Sequence, residues 1–160
     1  MQCARRGSRE QLPETSNDVA IEITTADMAA IRKFGESTFP HECCGFILGK
    51  VEDENRHVAE LLPVDNSRED EARHNRFLIT ADDFMRGEKA ARAKKLDIVG
   101  FYHSHPNAPA RPSQYDLDHA WPWYSYIIVS IRDGTAETMT SWILNEERSA
   151  FGEETIKELT

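Results

Sequence analysis

Residues 103–116 hold the feature that most constrains this chain: two histidines one residue apart, followed by a serine and an aspartate. The histidines are His103 and His105, and the later pair is Ser113 and Asp116. Two imidazoles and one carboxylate give a zinc ion three protein ligands and leave the fourth tetrahedral position for water, as in hydrolytic sites. We therefore predict one Zn²⁺ held by His103, His105 and Asp116.

The apolar run before the histidines predicts a strand. Residues 97–102 are mostly β-branched, aromatic or glycine, so the chain should enter the histidines in an extended conformation. Successive side chains of a strand point to opposite faces, which puts His103 and His105 on one face and Ser104 on the other. Residues 106–112 contain three prolines and predict a loop that returns the chain over the site.

Ser113 and Asp116 also match a capping box, in which a serine and an acidic residue three positions later begin a helix. A purely structural role is therefore the alternative for both residues. One helix can combine the two roles, since Ser113 can begin it while Asp116, one turn later, faces the metal.

The spacing resembles the JAMM motif of the MPN+ metalloproteases: a distant glutamate, His-x-His-Pro, and Ser-x-x-Asp after seven positions from the second histidine. The matching glutamate is Glu42. The resemblance implies that Glu42 is the catalytic base and that Ser113 is an oxyanion donor. It also implies three zinc ligands, which are His103, His105 and Asp116.

This resemblance covers most of residues 19–146 and is closest to the compact prokaryotic branch of the family. Residues 121–126 run almost directly from the ligand helix to the next strand, without the longer loop of eukaryotic deubiquitinating members. The implied fold is α+β, a mixed β-sheet sandwiched by helices, in the cytidine-deaminase-like MPN arrangement. We expect a disordered tail over residues 1–17 and a single metalloprotease domain over residues 18–160.

The residues themselves leave the roles of Glu42 and Ser113 open. A carboxylate at the rim of the sheet can take a proton from water and deliver it to the leaving amine, and the alternative for Glu42 is a solvated turn residue. The Ser113 hydroxyl can stabilise a tetrahedral oxyanion, unless capping the helix compromises that donation.

Periodicity and capping signals predict the remaining elements. One helix should span about residues 26–38 with Thr25 as its cap, and another should begin at Thr80 and reach about residue 95. Residues 65–75 form a polar loop that we expect to be the most mobile segment. Residues 150–159 suit either a strand or a short helix. Further strands are predicted at residues 19–24, 43–51, 57–64, 76–79, 126–131 and 140–144, with a turn at Asp133 and Gly134 between the last two.

Charge argues against a nucleic-acid partner. The formal net charge is -9, whereas nucleic-acid binding depends on neutralising phosphates. A basic run lies on the second predicted helix, where helical spacing spreads it over a solvated face, with docking of an acidic protein as the alternative. Its members are Arg86, Lys89, Arg92, Lys94 and Lys95.

The cysteines indicate a reducing compartment. Cys3, Cys43 and Cys44 cannot all pair, which fits the cytoplasm, and the latter two suit small buried hydrophobes. No apolar run is long enough to span a bilayer, and no apolar stretch follows Arg5 and Arg6 to support an export signal. We expect a cytoplasmic protein without a membrane partner.

The other histidines and the tryptophans near the motif receive no metal-binding role. Trp121 and Trp123 are expected to close a core under a loop, with a wall of the substrate cleft as the alternative. The remaining histidines are His41, His57, His74 and His119.

The family resemblance also indicates a substrate. JAMM enzymes resemble one another in cutting after the terminal Gly-Gly of ubiquitin-like proteins, and compact bacterial members are associated with small sulfur-carrier proteins of that fold. We therefore expect a zinc metalloprotease or isopeptidase that hydrolyses the bond after the C-terminal Gly-Gly of a ubiquitin-like or sulfur-carrier protein. The alternatives are a non-catalytic MPN scaffold, which the presence of every ligand disfavours, and a zinc hydrolase acting on a small molecule.

Overall fold

Seven strands form one mixed sheet, and three helices accompany it, in the part of the chain that the structure describes. The structure, a computed structural model, describes residues 19–65 and 79–160. The predicted α+β class is confirmed. The helices are α1 (Thr25–Thr38), α2 (Ala81–Ala93) and α3 (Gln114–His119). The strands are β1 (Ala20–Thr24), β2 (Cys44–Glu52), β3 (Asn55–Val64), β4 (Asp97–Pro106), β5 (Ser125–Arg132), β6 (Thr135–Leu144) and β7 (Phe151–Leu159).

The sheet closes on itself. Its strand order is β1-β3-β2-β4-β5-β6-β7, and β1 pairs in parallel with both β3 and β7. Strand β4, which carries the histidines, pairs antiparallel with β2 and parallel with β5. Local sequence patterns did not predict the closure, because pairs such as Ala20 with Thr155 join strands that are far apart in the chain.

Each face of the sheet has its own apolar cluster and its own long helix. On one face α1 contributes Met28 and Ile31 to a cluster that includes Tyr102. On the other face α2 packs against a cluster that includes Phe46, and Gly87 permits this approach because a Cβ there would lie 2.9 Å from the Phe46 ring. Burying one such large apolar side chain stabilises the fold by about 1.5–3 kcal/mol. The predicted helices on both faces are confirmed.

The two long helices begin at capping threonines. The cap of α1 is Thr24, whose hydroxyl accepts the Asp27 N–H at 3.1 Å, so the prediction that Thr25 is the cap is wrong. Threonine suits an N-cap at either position, but Thr24 is extended and Thr25 is already helical. The start of α2 is confirmed, since Thr80 and Asp83 form a reciprocal capping box.

The C-terminal third of the chain is a set of connected strands. The predicted turn between β5 and β6 is confirmed, with positive φ angles of 49° at Asp133 and 87° at Gly134, as in two-residue hairpin turns. Residues 150–159, for which a strand and a helix were both considered, form strand β7.

Several predictions fall wholly or partly on residues outside the described ranges. These are the tail at 1–17, most of the polar loop at 65–75, and residues 76–78 of the predicted strand at 76–79. The last residue of that strand, Ile79, has no regular structure. Among the described residues, no helix combines the length and apolar character needed to cross a membrane.

Candidate metal centre

Strand β4 places its two histidines on one face of the sheet and Ser104 on the other. His103 is 1% exposed and His105 is 6% exposed. Ser104 lies under α1, where its Cβ is 3.3 Å from the position that a Cβ on Gly35 would take. Its hydroxyl accepts the Cys43 N–H at 2.8 Å. The alternation of the strand therefore separates the two candidate ligands from a residue that ties β4 to the start of β2.

Helix α3 brings Asp116 to the two histidines. Asp116 Oδ1 is 3.4 Å from His103 Nε2, and Asp116 Oδ2 is 3.2 Å from His105 Nε2. The same Oδ2 accepts the Ser113 N–H at 2.8 Å, while the Ser113 hydroxyl accepts the Asp116 N–H at 3.1 Å. The capping box and the approach to the histidines thus coexist, because one carboxylate serves both.

These three side chains, which we call the metal centre, fit zinc in chemistry and in spacing. Imidazole nitrogen and carboxylate oxygen are ordinary zinc ligands, and their bond lengths put neighbouring ligands of a tetrahedron about 3.3–3.4 Å apart. The two Nε2 atoms are 3.0 Å apart, and the nearest oxygens lie 3.2 and 3.4 Å from them. Within residues 19–65 and 79–160, this is the one group of three or more His, Cys, Asp or Glu side chains with donors close enough to share an ion.

His105 is held in the tautomer that a metal ligand needs. Its Nδ1–H donates to the carbonyl of Pro109 at 2.9 Å. Nε2 therefore keeps its lone pair and faces the other two donors. This carbonyl belongs to residues 106–112, the proline loop. The loop therefore orients a candidate metal ligand as well as returning the chain over the site.

Burial and mutual charge shift the protonation of all three groups. Burial lowers the pKa of His103, against the opposing charge of Asp116. Burial also acts to lower the pKa of His105, but Asp116, the Pro109 carbonyl and the charge of Glu42 together raise it. For Asp116, burial acts to raise the pKa, and the charge and hydrogen bonds of the imidazoles hold it well below its usual range. Asp116 is therefore ionised at neutral pH, as a metal-binding carboxylate must be.

Glu42 lies beside the metal centre. Glu42 lies two residues before Cys44, the residue of β2 that pairs with His103 on β4. Its negative charge acts to raise the pKa of His105. Because Glu42 is only 6% exposed, the alternative of a solvated turn residue is wrong. Glu42 is near the three donors without being one of them.

Ser113 is exposed at the N-cap of α3. Its oxygen accepts the Asp116 N–H, which uses a lone pair and leaves the hydroxyl hydrogen for another acceptor. Capping and oxyanion donation are therefore compatible at this residue.

A cleft of about 690 Å³ opens beside Asp116. Its walls come from α2, β4, α3, the segment after α3 and the start of β5. The aromatic rings of the walls contact one another, and Tyr124 meets Phe101 edge-on with 5.2 Å between the ring centroids. Most of these residues gave no signal in the sequence, because they are far apart and resemble ordinary core residues. We call this site the aromatic cleft, and its aromatic wall consists of Phe84, Phe101, Tyr115, Trp121, Tyr124 and Tyr126.

The two tryptophans after α3 do not close a core. Trp121 is 57% exposed and Trp123 is 49% exposed, so that prediction is wrong. Trp121 lines the aromatic cleft, with the Arg148 guanidinium 4.8 Å from its ring centroid. The Trp123 ring contacts the Arg56 guanidinium at 5.1 Å. Each ring has a cation as its partner, which explains why neither requires an apolar core.

The other histidines do not join the metal centre. His57 pairs with Glu22. His119 is exposed on α3, with its Nδ1 2.8 Å from the Tyr115 carbonyl oxygen. His74 lies outside the described residues.

The described cysteines are buried, as predicted, and the basic residues are exposed, which is compatible with both a solvated face and the docking alternative. Cys43 and Cys44 are buried free thiols, and burial raises the pKa of Cys43 to about 11, as for small buried hydrophobes. Cys3 lies outside the described residues. The basic run on and after α2 is exposed throughout, namely Arg86, Lys89, Arg92, Lys94 and Lys95.

Two curated relatives, both named desampylase, align with part of the chain. The relative from Haloferax volcanii is 33% identical over 92 residues, which cover 57% of this chain and 63% of that protein. The relative from Pyrococcus furiosus is 29% identical over 106 residues, which cover 66% of this chain and 69% of that protein. The chain therefore spans less than two thirds of the length of the first relative.

Solved structures show the same architecture. A protein from Salinibacter ruber is 43% identical, with a TM-score of 0.67 and coverage of 85% of this chain and 90% of that one. A protein from Desulfitobacterium hafniense is 26% identical, with a TM-score of 0.76 and coverage of 87% and 92%. A JAB1/MPN domain protein from Archaeoglobus fulgidus, at 18% identity, has a TM-score of 0.52 and coverage of 89% and 97%. The last similarity concerns the fold alone, and it confirms the predicted MPN fold.

The family model described as prokaryotic homologs of the JAB domain matches residues 24–145. That range is well over half of the chain, and it contains Glu42, Ser113 and the whole metal centre. The predicted resemblance to the compact prokaryotic branch is confirmed. The chain belongs to the family of prokaryotic homologs of the JAB domain.

Proposed function

We propose that the chain is a zinc-dependent isopeptidase or protease that hydrolyses the bond after the C-terminal Gly-Gly of a ubiquitin-like or sulfur-carrier protein. The observation that carries this proposal is the approach of three zinc-type donors to one point, with the buried carboxylate of Glu42 alongside. Two relatives named desampylase support it.

In the proposed reaction, His103, His105 and Asp116 would hold a zinc ion. A zinc ion bound there would supply Lewis acidity, which lowers the pKa of water to about 7. Glu42 takes the proton of the attacking water and delivers it to the leaving amine. The Ser113 hydroxyl donates to the oxyanion of the tetrahedral intermediate, an effect of about 2.7–4 kcal/mol in comparable sites.

Burial of the centre favours a slender substrate segment. His103, His105 and Asp116 are 1%, 6% and 9% exposed, so little room exists for side chains next to the scissile bond. A Gly-Gly tail presents none there. The aromatic cleft beside Asp116 would bind an apolar side chain of the substrate farther from that bond, as apolar pockets near catalytic groups do.

Zinc content and cleavage assays test this proposal together. The substrates are a sulfur carrier extended by a peptide after its Gly-Gly, and the same carrier joined to a lysine through an isopeptide bond. We expect the zinc-loaded protein to cleave at least one of them and the chelated protein to cleave neither. A zinc-loaded protein that cleaves neither substrate would contradict the proposal, whereas a preference for one identifies the bond type.

A further inference from the structure

The carbonyl of Pro109 sets the direction of the His105 ring. It accepts the His105 Nδ1–H at 2.9 Å and the Arg111 N–H at 2.8 Å, so both of its lone pairs are used. The hydrogen bond to this carbonyl fixes the position of His105 Nδ1. It therefore also fixes the orientation of the imidazole ring and the direction in which Nε2 points. Any displacement of the Pro109 carbonyl would therefore move Nε2 relative to Asp116.

Hydroxyl groups on two strands hold the carbonyls on either side of Pro109. The Ser130 hydroxyl, on β5, donates to the carbonyl of Ala108 at 2.7 Å. The Thr140 hydroxyl, on β6, donates to the carbonyl of Ala110 at 2.6 Å. Trp142 Nε1–H donates to the Thr140 oxygen at 2.8 Å. Because that oxygen accepts from Trp142, its own hydrogen is directed to the loop.

These bonds matter because the proline loop has few other means of holding its place. Prolines carry no N–H and cannot join a ladder of backbone hydrogen bonds. At its start the loop is still joined to β5 and the turn after it, since the Asn107 N–H donates to the Ile131 carbonyl at 2.7 Å and Asn107 Oδ1 accepts the Asp133 N–H at 2.8 Å. From Ala108 to Ala110, the bonds from Ser130 and Thr140 hold it. Its position therefore depends on individual bonds to neighbouring strands.

We propose that Ser130 and Thr140, the latter oriented by Trp142, are positioning residues for the metal centre. They hold the loop so that the Pro109 carbonyl fixes the tautomer and the direction of His105. None of the three touches a zinc-binding side chain through a hydrogen bond, and they act through Ala108, Ala110 and Pro109. The inference rests on the zinc site of the proposed function.

The site permits a clean test, because Thr140 is only partly buried. A cleft of about 650 Å³ lies behind the loop, and Ser130, Thr140 and Trp142 line it. Removing the Thr140 hydroxyl therefore leaves no cavity in the core. The matched control is Thr138, which lies on the same strand and lines the same cleft.

The test is the zinc affinity of the whole chain, measured by competition with a chelator, for Thr140→Val, Thr140→Ser and Thr138→Val. We expect Thr140→Val to bind zinc about tenfold more weakly, the lower end of the range for residues that support metal ligands. Thr140→Ser keeps the hydroxyl and should retain wild-type affinity, as should Thr138→Val. Ser130→Ala should weaken zinc binding in the same way, which provides a second variant if Thr140→Val folds poorly.

Two further readouts separate positioning from a structural effect. The visible spectrum of the cobalt-loaded protein should change in Thr140→Val but not in Thr138→Val, because it reports ligand geometry. The metal-free Thr140→Val protein should still unfold cooperatively, at a somewhat lower temperature than Thr138→Val because it lacks two hydrogen bonds. Equal zinc affinity in wild type, Thr140→Val and Ser130→Ala overturns the inference and leaves the proposed function intact. If Ser130→Ala and Thr140→Val both lose affinity only together with the native fold of the metal-free protein, the inference is also overturned. A wild-type protein that binds no zinc refutes both proposals.

Discussion

The metal centre takes its donors from residues 103–116, whereas the aromatic cleft takes its walls from α2, β4, α3, the segment after α3 and the start of β5. Asp116 belongs to both sites. The donors are at most 9% exposed, while Trp121 in the cleft is 57% exposed. The metal centre is therefore enclosed and held by strand and helix backbone, and the cleft is open to a partner.

This difference predicts separate roles for the metal centre and the aromatic cleft. Substitutions in the metal centre should alter chemistry and zinc binding together. Substitutions in the exposed wall of the cleft should alter substrate affinity and leave the zinc site unchanged. Glu42 and Ser113 adjoin the donors without being donors themselves. Substitutions at these two residues should therefore alter chemistry without removing a zinc ligand.

The largest effect is expected for His105→Ala. Removing this donor leaves two protein ligands, so we expect loss of zinc and a fall in turnover of at least about 10³-fold, since a Lewis acid supplies several kcal/mol to the transition state. Zinc content and kcat/KM provide the measurement. His57→Ala, a histidine paired with Glu22 on another strand, should retain both. Full activity of His105→Ala would contradict the assignment of zinc binding and chemistry to the metal centre.

Glu42→Gln should separate chemistry from zinc binding. The amide keeps the shape of the side chain but cannot accept the proton of water, so turnover should fall by about 10²–10⁴-fold. Zinc content should stay at the wild-type level, because Glu42 is not one of the three donors. Undiminished hydrolysis by this variant would remove Glu42 from its proposed role.

Ser113→Ala should affect stability and rate at once. Loss of the helix cap costs about 1 kcal/mol of unfolding free energy, and loss of the oxyanion donor should lower kcat by about 10²-fold. Ser113→Thr keeps both functions and should restore both values. If Ser113→Ala loses stability but keeps its kcat, the serine is a cap alone.

The smallest effect is expected for Trp121→Ala in the aromatic cleft. Removing this wall should raise KM about tenfold, as for the loss of a modest apolar contact to substrate, with unchanged zinc content and kcat. Val51→Ala is the control, because Val51 is also an exposed apolar residue but lies on β2 and does not line the cleft. Equal KM values for the two variants would show that the cleft does not bind substrate.

The sequence allowed prediction of the parts that local spacing determines. The two histidines follow from strand alternation, and Asp116 follows from its place one turn into a helix that Ser113 caps. The cleft was not predictable in this way, because Phe84 and Tyr124 come together only through the pairing of distant elements. Sheet closure depends similarly on β1 and β7. Ser130 and Thr140 gave no signal either, since serine and threonine are ordinary residues of strands.

X-ray absorption spectroscopy of the zinc-loaded protein tests the central claim most directly, because it reports the atoms bound to the metal. We expect two imidazole nitrogens and oxygen donors at about 2.0–2.2 Å, with no sulfur. A sulfur at about 2.3 Å, which would require a cysteine such as the buried Cys43 or Cys44, or a spectrum without imidazole, would contradict a metal centre made of His103, His105 and Asp116.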